Sequence, residues 1–225
     1  MNQKEMTASN MAQYIDHTLL KPEAQQSAFD KLCNEALRYR FKAVCVNSCR
    51  VAYVAQKVKG SGIEVCSVVG FPLGAMESRA KAYEASRAIE EGATEVDMVI
   101  NIGALKSGDL KTVDDDIRAL RKAAKGSTVL KVIIETCLLT DDEKTLACEM
   151  AKKAGADFVK SSTGFSTGGA TIEDIALMCK VVGSEMGVKA SGGIKDFAAA
   201  SAMVNAGANR LGTSSGIAIV EGIPK

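Results

Sequence analysis

Three short apolar stretches, each typical of a buried strand, carry a lysine in their interior. They are VLKVII with Lys131, DFVKSS with Lys160 and GVKAS with Lys189. A buried ammonium group is costly unless it is paired, so a counter-charge is expected nearby. Asp97, in the apolar stretch VDMVI, can provide it. Clustered charges of this kind favour a functional site over a purely structural role.

A pair of neighbouring lysines suggests covalent chemistry at a carbonyl group. Burial and a second cation both favour the uncharged form of an amine. We therefore expect Lys160, with Lys189 one strand away, to be a free amine near neutral pH. A neutral lysine amine attacks a carbonyl carbon and forms a Schiff base. A carboxylate such as Asp97 can move protons during the carbinolamine and enamine steps.

Other polar residues on or beside strands have a structural alternative that the sequence leaves open. Asp16, Lys131 and Glu135 suit a structural ion pair as well as a pocket, and strand alternation puts Lys131 and Glu135 on one face. His17, the only histidine, is expected to be a hydrogen-bonded structural residue. Cys45 is expected to be a small buried residue near the site, because no neighbour in sequence would activate it.

Eight short β-rich stretches alternate with helical patterns and must position these side chains. The predicted strands are Tyr14–His17, Ala43–Val46, Glu64–Val69, Glu95–Ile100, Val129–Ile134, Asp157–Ser161, Val188–Ser191 and Arg210–Thr213. The predicted helices are Glu23–Tyr39, Cys49–Lys59, Glu77–Glu91, Leu110–Lys125, Asp141–Ala154, Ile172–Val182 and Phe197–Ala206, with a short one after Ser214. This pattern predicts an α/β fold, a (β/α)8 TIM barrel. An open doubly wound sheet is the alternative, although no GxGxxG turn follows the first strand.

Local signals mark the ends of several predicted helices. The expected left-handed helix-ending glycines are Gly92, Gly155 and Gly207. The expected N-caps are Ser48, Thr140 and Thr171. Residues 1–225 are expected to form a single domain, in which residues 1–12 are an N-terminal extension that is helical or loose.

Turns of small residues follow the last three predicted strands: STGFSTGGAT, SGGIK and GTSSG. Glycine lets backbone N–H groups approach a ligand closely, and barrels often bind phosphate with the loops after their last strands. A turn between strand and helix is often glycine-rich for structural reasons, but three such turns at adjacent barrel ends favour a phosphate site. The expected contacts are Gly164, Gly192, Gly193, Lys195, Ser214 and Ser215.

Composition narrows the function classes. The formal net charge of +1 leaves no basic stripe for nucleic acid, and no apolar run is long enough to cross a bilayer. The beginning of the chain lacks the apolar core of a secretory signal, so a cytoplasmic protein is expected. The seven cysteines are odd in number and scattered, which predicts reduced thiols and no zinc site. Neither a metal nor a cofactor is expected.

Eight motifs carry a resemblance to a known family. They are IDHTLLKPEA, VCVNS, VVGFPLG, EVDMVINIGALKSGD, LKVIIETCLLTDDE, ADFVKSSTGF, VKASGGI and RLGTSSG. In order and spacing they resemble the motifs of the 2-deoxyribose-5-phosphate aldolase family, from about Tyr14 to Gly216. The resemblance implies a class I aldolase on a (β/α)8 barrel without a metal. Its reaction is the reversible cleavage of 2-deoxy-D-ribose 5-phosphate to D-glyceraldehyde 3-phosphate and acetaldehyde.

The resemblance also implies roles for particular residues. Lys160 corresponds to the lysine that forms the Schiff base, Lys189 to the lysine that assists it, and Asp97 to the proton-relay acid. Asp16 and Lys131 correspond to polar residues that line the pocket, so they are expected to contact sugar hydroxyls or to orient the catalytic trio. Cys45, from its position on the second strand, is expected among the substrate-binding residues. Ser161 stands where many relatives have threonine, a mild change that keeps the hydroxyl.

The end of the chain departs from some relatives, which finish in a tyrosine thought to help proton transfer. This chain ends in VEGIPK, so no proton step through the tail is expected unless the native chain is longer. Two other functions compete. One is a different Schiff-base phosphosugar aldolase or transaldolase, and the other is a phosphosugar-binding or regulatory protein without catalysis. The expected partner is a small phosphosugar, and the sequence leaves open whether the protein is a homodimer or a higher homo-oligomer.

Overall fold

The computed structural model describes residues 7–224 and contains eight parallel strands closed into a barrel. The strands are β1 (Ile15–Leu19), β2 (Ala43–Asn47), β3 (Glu64–Val69), β4 (Glu95–Val99), β5 (Val129–Ile133), β6 (Phe158–Lys160), β7 (Gly187–Ser191) and β8 (Arg210–Thr213). Each strand pairs with the next in sequence, and β8 pairs with β1. The predicted (β/α)8 barrel is confirmed, and the open sheet is excluded.

Helices cover the outside of the barrel. They are α1 (Ala8–Ala12), α2 (Gln26–Tyr39), α3 (Val51–Lys57), α4 (Ser78–Glu90), α5 (Ile102–Lys106), α6 (Leu110–Ala123), α7 (Asp141–Lys153), α8 (Ile172–Val182), α9 (Phe197–Asn205) and α10 (Gly216–Glu221). In this part of the chain, 3₁₀ turns occupy Ser48–Arg50 and Thr136–Leu138. Within residues 7–224, no helix has the length and apolar character needed to cross a membrane.

The predicted strands all occur, with ends shifted by two residues at most. The sequence pattern missed α5, which begins directly after β4 and is capped by Asn101, whose side chain accepts from the Ala104 N–H at 3.0 Å. Of the expected N-terminal extension, Ala8–Ala12 is helical, and residues 1–6 lie outside the described part of the chain.

The cap predictions have mixed outcomes. Gly92, Gly155 and Gly207 follow α4, α7 and α9 with φ of 109°, 81° and 113°. Thr140 and Thr171 cap α7 and α8 by accepting backbone N–H groups at 3.3 and 3.0 Å. Ser48 is not an N-cap: it opens a 3₁₀ turn, and its hydroxyl donates to Glu84 at 2.8 Å.

Strand alternation separates an apolar layer from a polar barrel interior. Outward-facing residues such as Val96, Leu130 and Val159 are fully buried and belong to the continuous apolar core beneath the helices. Because successive residues face opposite ways, Lys131 and Lys160, which alternate with these residues, face the barrel axis. A one-residue slip of register would exchange the two sets, so the apolar layer specifies which side chains enter the interior.

Candidate active site

Asp97 is the centre of a buried cluster of lysines. Lys131 Nζ donates to its Oδ1 at 2.8 Å, while Lys160 Nζ and Lys189 Nζ donate to its Oδ2 at 2.9 and 2.7 Å. Asp97, Lys131 and Lys189 are inaccessible to solvent, and Lys160 is 3% exposed. The strands β4 to β7 thus bring together the three residues expected to act in catalysis and Lys131.

Electrostatics favour an ionised Asp97. Burial by itself would raise the pKa of its carboxyl group, but the surrounding lysines, Lys131 most strongly, outweigh burial and hold the pKa well below its ordinary value. Burial by itself would lower the pKa of the Lys189 ammonium group, but the carboxylates of Asp16 and Asp97 outweigh burial and raise this pKa above its ordinary value. The charges of Asp97 and Lys189 therefore stabilise each other, and Lys189 carries a positive charge beside Lys160.

A second tier of charges supports this cluster, and two of its members were not identified from the sequence. Arg210 Nε donates to Asp16 Oδ1 at 2.7 Å, and its Nη2 donates to Glu95 Oε2 at 2.7 Å. Asp16 also contacts Lys189 at 2.5 Å, and Glu95 contacts Lys131 at 2.5 Å. Glu95 and Arg210 each begin a strand, where a charged residue resembles the end of a loop.

Two thiols lie on the other side of Asp97. Cys45 and Cys66 are paired in register on β2 and β3, and Cys66 Sγ donates to Asp97 Oδ1 at 3.1 Å. The hydrogen bond from Cys66, aided by Lys189 and Lys160, outweighs burial and lowers the pKa of Cys45 to about 7.

The Cys45, Cys66 and Asp97 ligand atoms lie within 4.8 Å of one another, a spacing that a metal ion could use. The ammonium groups of Lys131 and Lys189 already contact Asp97, however, and Lys131 Nζ is also 3.5 Å from Cys66 Sγ. A metal cation there would face these ammonium groups at close range, so the charge pattern opposes metal binding.

Lys160 is the member of the charge cluster that reaches an open cavity. This cavity, of about 410 Å³, is lined by Lys160 and by the loops after β1, β6, β7 and β8. Its wall contains all the residues expected to bind phosphate: Gly164, Gly192, Gly193, Lys195, Ser214 and Ser215. Asp16, Cys45 and Lys131 do not line it; they lie beneath it, fully buried, because their inward-facing positions belong to the packed interior. Lys21, which the sequence did not single out, also lines the wall.

The loops around the cavity approach each other through glycine. A Cβ on Gly169 would lie 2.4 Å from the carbonyl oxygen of Gly192, and that same oxygen accepts the Ala170 N–H at 3.1 Å. Across the described chain, no hydrogen bond uses the N–H of Gly164 or Gly193. These donors are therefore available to a ligand.

Ser215 differs from its expected role as a backbone donor. Its N–H is bonded to Thr213 Oγ1 at 2.9 Å, and this hydroxyl donates to the Ile194 carbonyl at 2.7 Å. A threonine side chain that accepts the N–H two residues ahead forms a local turn, so this N–H ties the two loops together. The N–H of Ser214 makes no such bond within the part of the chain described.

Two further polar residues have structural contacts. Glu135 does not share the face of Lys131 as predicted, because β5 ends at Ile133 and Glu135 adopts a left-handed conformation with φ of 57°. Its carboxylate accepts the Thr163 N–H at 3.1 Å and holds the loop after β6. His17 Nε2 lies 2.7 Å from Glu35, on the helix side of β1.

Comparison with known proteins places the chain among aldolases. The model of the DeoC/LacD family aldolases matches residues 10–222. A protein of Brevibacillus brevis named deoxyribose-phosphate aldolase is 61% identical over 95% of this chain and 96% of its own. One of Geobacillus with the same name is 59% identical over 95% and 96%.

A solved structure has the same fold. The tetrameric deoxyribose phosphate aldolase from Aeropyrum pernix superposes with a TM-score of 0.89 at 34% identity, over 96% of this chain and 91% of its own. Together with the family match over nearly the whole described barrel, this establishes that the chain belongs to the DeoC/LacD family of aldolases.

Proposed function

We propose that this aldolase reversibly cleaves 2-deoxy-D-ribose 5-phosphate to D-glyceraldehyde 3-phosphate and acetaldehyde through a Schiff base on Lys160. One observation carries the proposal: of the lysines bonded to Asp97 among the described residues, only Lys160 lines the cavity, and its Nζ shares Asp97 Oδ2 with Lys189. The names of the similar proteins from Brevibacillus and Geobacillus support the choice of substrate.

The first half of the reaction forms the covalent intermediate. The Lys160 amine attacks C1 of the open-chain sugar phosphate and gives a carbinolamine, which loses water to become a protonated imine. Asp97 Oδ2 is 2.9 Å from Lys160 Nζ and 2.7 Å from Lys189 Nζ, so protons can pass among these groups without a long relay. The anionic carboxylate also stabilises the iminium charge.

The second half breaks the carbon–carbon bond. The Asp97 relay takes the proton from the C3 hydroxyl, and C3 becomes the aldehyde carbon of glyceraldehyde 3-phosphate. The bond that breaks is C2–C3, and its electron pair moves onto the iminium to form an enamine on Lys160. Protonation of the enamine at C2 and hydrolysis by water release acetaldehyde and restore the amine.

The loops after β6, β7 and β8 are suited to the substrate phosphate. Gly164, Gly193 and Ser214 offer N–H groups without a protein acceptor among residues 7–224, and Lys195 adds an exposed cation at the same wall. Hydrogen bonds from such donors to a charged phosphate are stronger than hydrogen bonds between neutral groups. They would hold the phosphate end while the aldehyde end meets Lys160.

Reductive trapping tests the nucleophile. Acetaldehyde and borohydride should leave an ethyl group on Lys160, located by peptide mass spectrometry, and Lys160→Met should lose both the adduct and turnover. A label on another lysine, or ordinary turnover by Lys160→Met, would contradict the proposal.

Substrate comparison separates the competing functions. Cleavage of deoxyribose 5-phosphate but not of fructose phosphates would exclude the other phosphosugar aldolases. Binding without turnover of any of them would favour a phosphosugar-binding protein.

We further propose that the enzyme is a cytoplasmic single-domain protein of deoxyribose phosphate and deoxynucleoside catabolism, and that it assembles as a homo-oligomer. The tetramer of the Aeropyrum pernix protein supports the last point. Light scattering after gel filtration would give the number of subunits, and a monomer mass would refute the assembly.

A further inference from the structure

Every strand of the barrel contributes a titratable side chain to the interior. From β1 to β8 these are Asp16, Cys45, Cys66, Glu95 with Asp97, Lys131, Lys160, Lys189 and Arg210. The direct contacts of Lys160 and Lys189 with Asp97 account for the proposed chemistry. Among residues 7–224, neither Arg210 nor Glu95 is bonded to Lys160 and neither lines the cavity, so their presence needs a separate explanation.

Arg210 binds the two carboxylates, Asp16 and Glu95, that pair with two of the three lysines around Asp97. Arg210 donates to Asp16 and Glu95 at 2.7 Å each. Asp16 pairs with Lys189, and Glu95 pairs with Lys131. Arg210 is therefore connected to the lysines around Asp97 by two routes, through Asp16 to Lys189 and through Glu95 to Lys131.

While both thiols are protonated, the charges of the cluster balance only when Lys160 is an uncharged amine. With protonated thiols and a free Lys160 amine, three carboxylates (Asp16, Glu95, Asp97) face three cations (Lys131, Lys189, Arg210). Protonation of Lys160 adds a buried cation that the three carboxylates of the cluster no longer balance. Unbalanced buried charge is costly.

We propose that Arg210 and Glu95 are positioning residues that set the charge of this cluster, so that Lys160 is the amine that gives up its proton. The proposal rests on the proposed function of Lys160. An arginine suits this place because its guanidinium stays charged in proteins and offers a fork of donors to two carboxylates at once. Its guanidinium also lies over the Phe158 ring, 5.9 Å from the ring centre, which fixes its orientation.

The test uses two substitutions that change the charge in opposite directions. At low pH, kcat/KM should fall as Lys160 becomes protonated, and this fall is the acid limb of the pH profile of kcat/KM. Arg210→Met removes a cation, which favours the ammonium form of Lys160, so the acid limb should move to higher pH. Glu95→Gln removes an anion and should move the limb to lower pH. Each shift should be about one pH unit, the size expected for unit charges separated by one or two partners at an effective dielectric constant of about 20. Arg210→Lys keeps the charge and should leave the limb in place while kcat falls a few-fold.

Matched controls come from a buried ion pair outside the barrel interior. Lys81 and Asp116 are in contact at 2.6 Å and as buried as Arg210 and Glu95, so Lys81→Met and Asp116→Asn remove the same kinds of charge. These controls should lower the melting temperature without moving the limb. If Arg210→Met does not fold, Glu95→Gln and Arg210→Lys still decide the question.

The outcomes separate this inference from the proposed function. Shifts of opposite sign in the two variants support it. Equal shifts in both, no shift, or a shift in Arg210→Lys as large as in Arg210→Met would overturn it. Borohydride trapping on the wild-type enzyme is the independent reference: a label on Lys160 with unshifted limbs refutes this inference alone, whereas absence of the label refutes the Schiff base.

Discussion

Gly169→Ala is expected to weaken phosphate binding while sparing the chemistry at Lys160. The new Cβ would lie 2.4 Å from the Gly192 carbonyl oxygen and 2.6 Å from its carbon. Both are backbone atoms, so no side chain can turn away. The loops after β6 and β7 would have to separate by about 1 Å to reach an ordinary contact of about 3.4 Å. The 3.1 Å bond from Ala170 N–H to Gly192 would then be stretched.

The expected magnitude follows from the donors that these loops offer. Gly164 and Gly193 lie on the two loops that would separate, so the phosphate would lose at least one of their N–H bonds. A hydrogen bond to a charged group contributes about 1.5–3 kcal/mol, which corresponds to a loss of about 10- to 100-fold in kcat/KM for deoxyribose 5-phosphate. Unphosphorylated deoxyribose makes no such bond, so its slow turnover should change by less than about threefold.

Steady-state rates on both substrates check this prediction, with Gly103→Ala as the control. A Cβ on Gly103, in α5, has 3.7 Å to its nearest neighbour, so that variant should behave like the wild type with both substrates. An equal loss on both substrates for Gly169→Ala would mean that the damage reaches Lys160. An unchanged kcat/KM for the phosphorylated sugar would show that the loops after β6 and β7 do not bind the phosphate.

Three further predictions concern charged residues. Asp97→Asn leaves three lysines without their shared anion, so the free energy of unfolding should fall by about 3–5 kcal/mol and kcat by about 10²-fold or more; a kcat within tenfold of wild type would contradict this. Lys195→Ala should raise KM about tenfold at unchanged kcat, since it removes one charge-assisted contact; a fall in kcat at constant KM would argue against phosphate binding. Burial raises the pKa of Asp16, but Lys189 and Arg210 lower it from 3.8 to about 2. The ionised Asp16 therefore adds about 2 kcal/mol to the free energy of unfolding above about pH 4, and this contribution is lost as the pH falls to 2. Urea unfolding of Asp16→Asn should lack this part of the pH dependence, and an identical pH dependence would refute the assignment.

The residues around Asp97 could be found from the sequence because the signal for them is local. A lysine between Leu130 and Val132, or after Val159, interrupts an apolar strand, and alternation along the strand turns it inward. The eight strand–helix units then place such residues in a barrel interior. Neither step needs knowledge of distant contacts.

Arg210 and Glu95 could not be found in this way because the bonds that join them, and that join Arg210 to Asp16, form only when the barrel closes. Each follows a polar residue at the start of its strand, in the stretches ANRL and ATEV, and resembles a solvent-exposed residue there. Only the pairing of β8 with β1 places Arg210 beside Asp16. Glu135 was misplaced for a different reason: a left-handed residue after β5 ends the alternation on which the prediction relied.

The bond between Arg210 and Asp16 joins residues 194 positions apart in the chain, and this separation has a consequence for folding. Contacts between distant segments form late and slowly, so the charge cluster is completed only when the last strand docks on the first. An incomplete barrel leaves several of these charges without partners, which disfavours compact partial folds. During refolding, aldolase activity should therefore return later than the circular dichroism signal of the helices. The return of activity would then mark the moment at which the barrel closes.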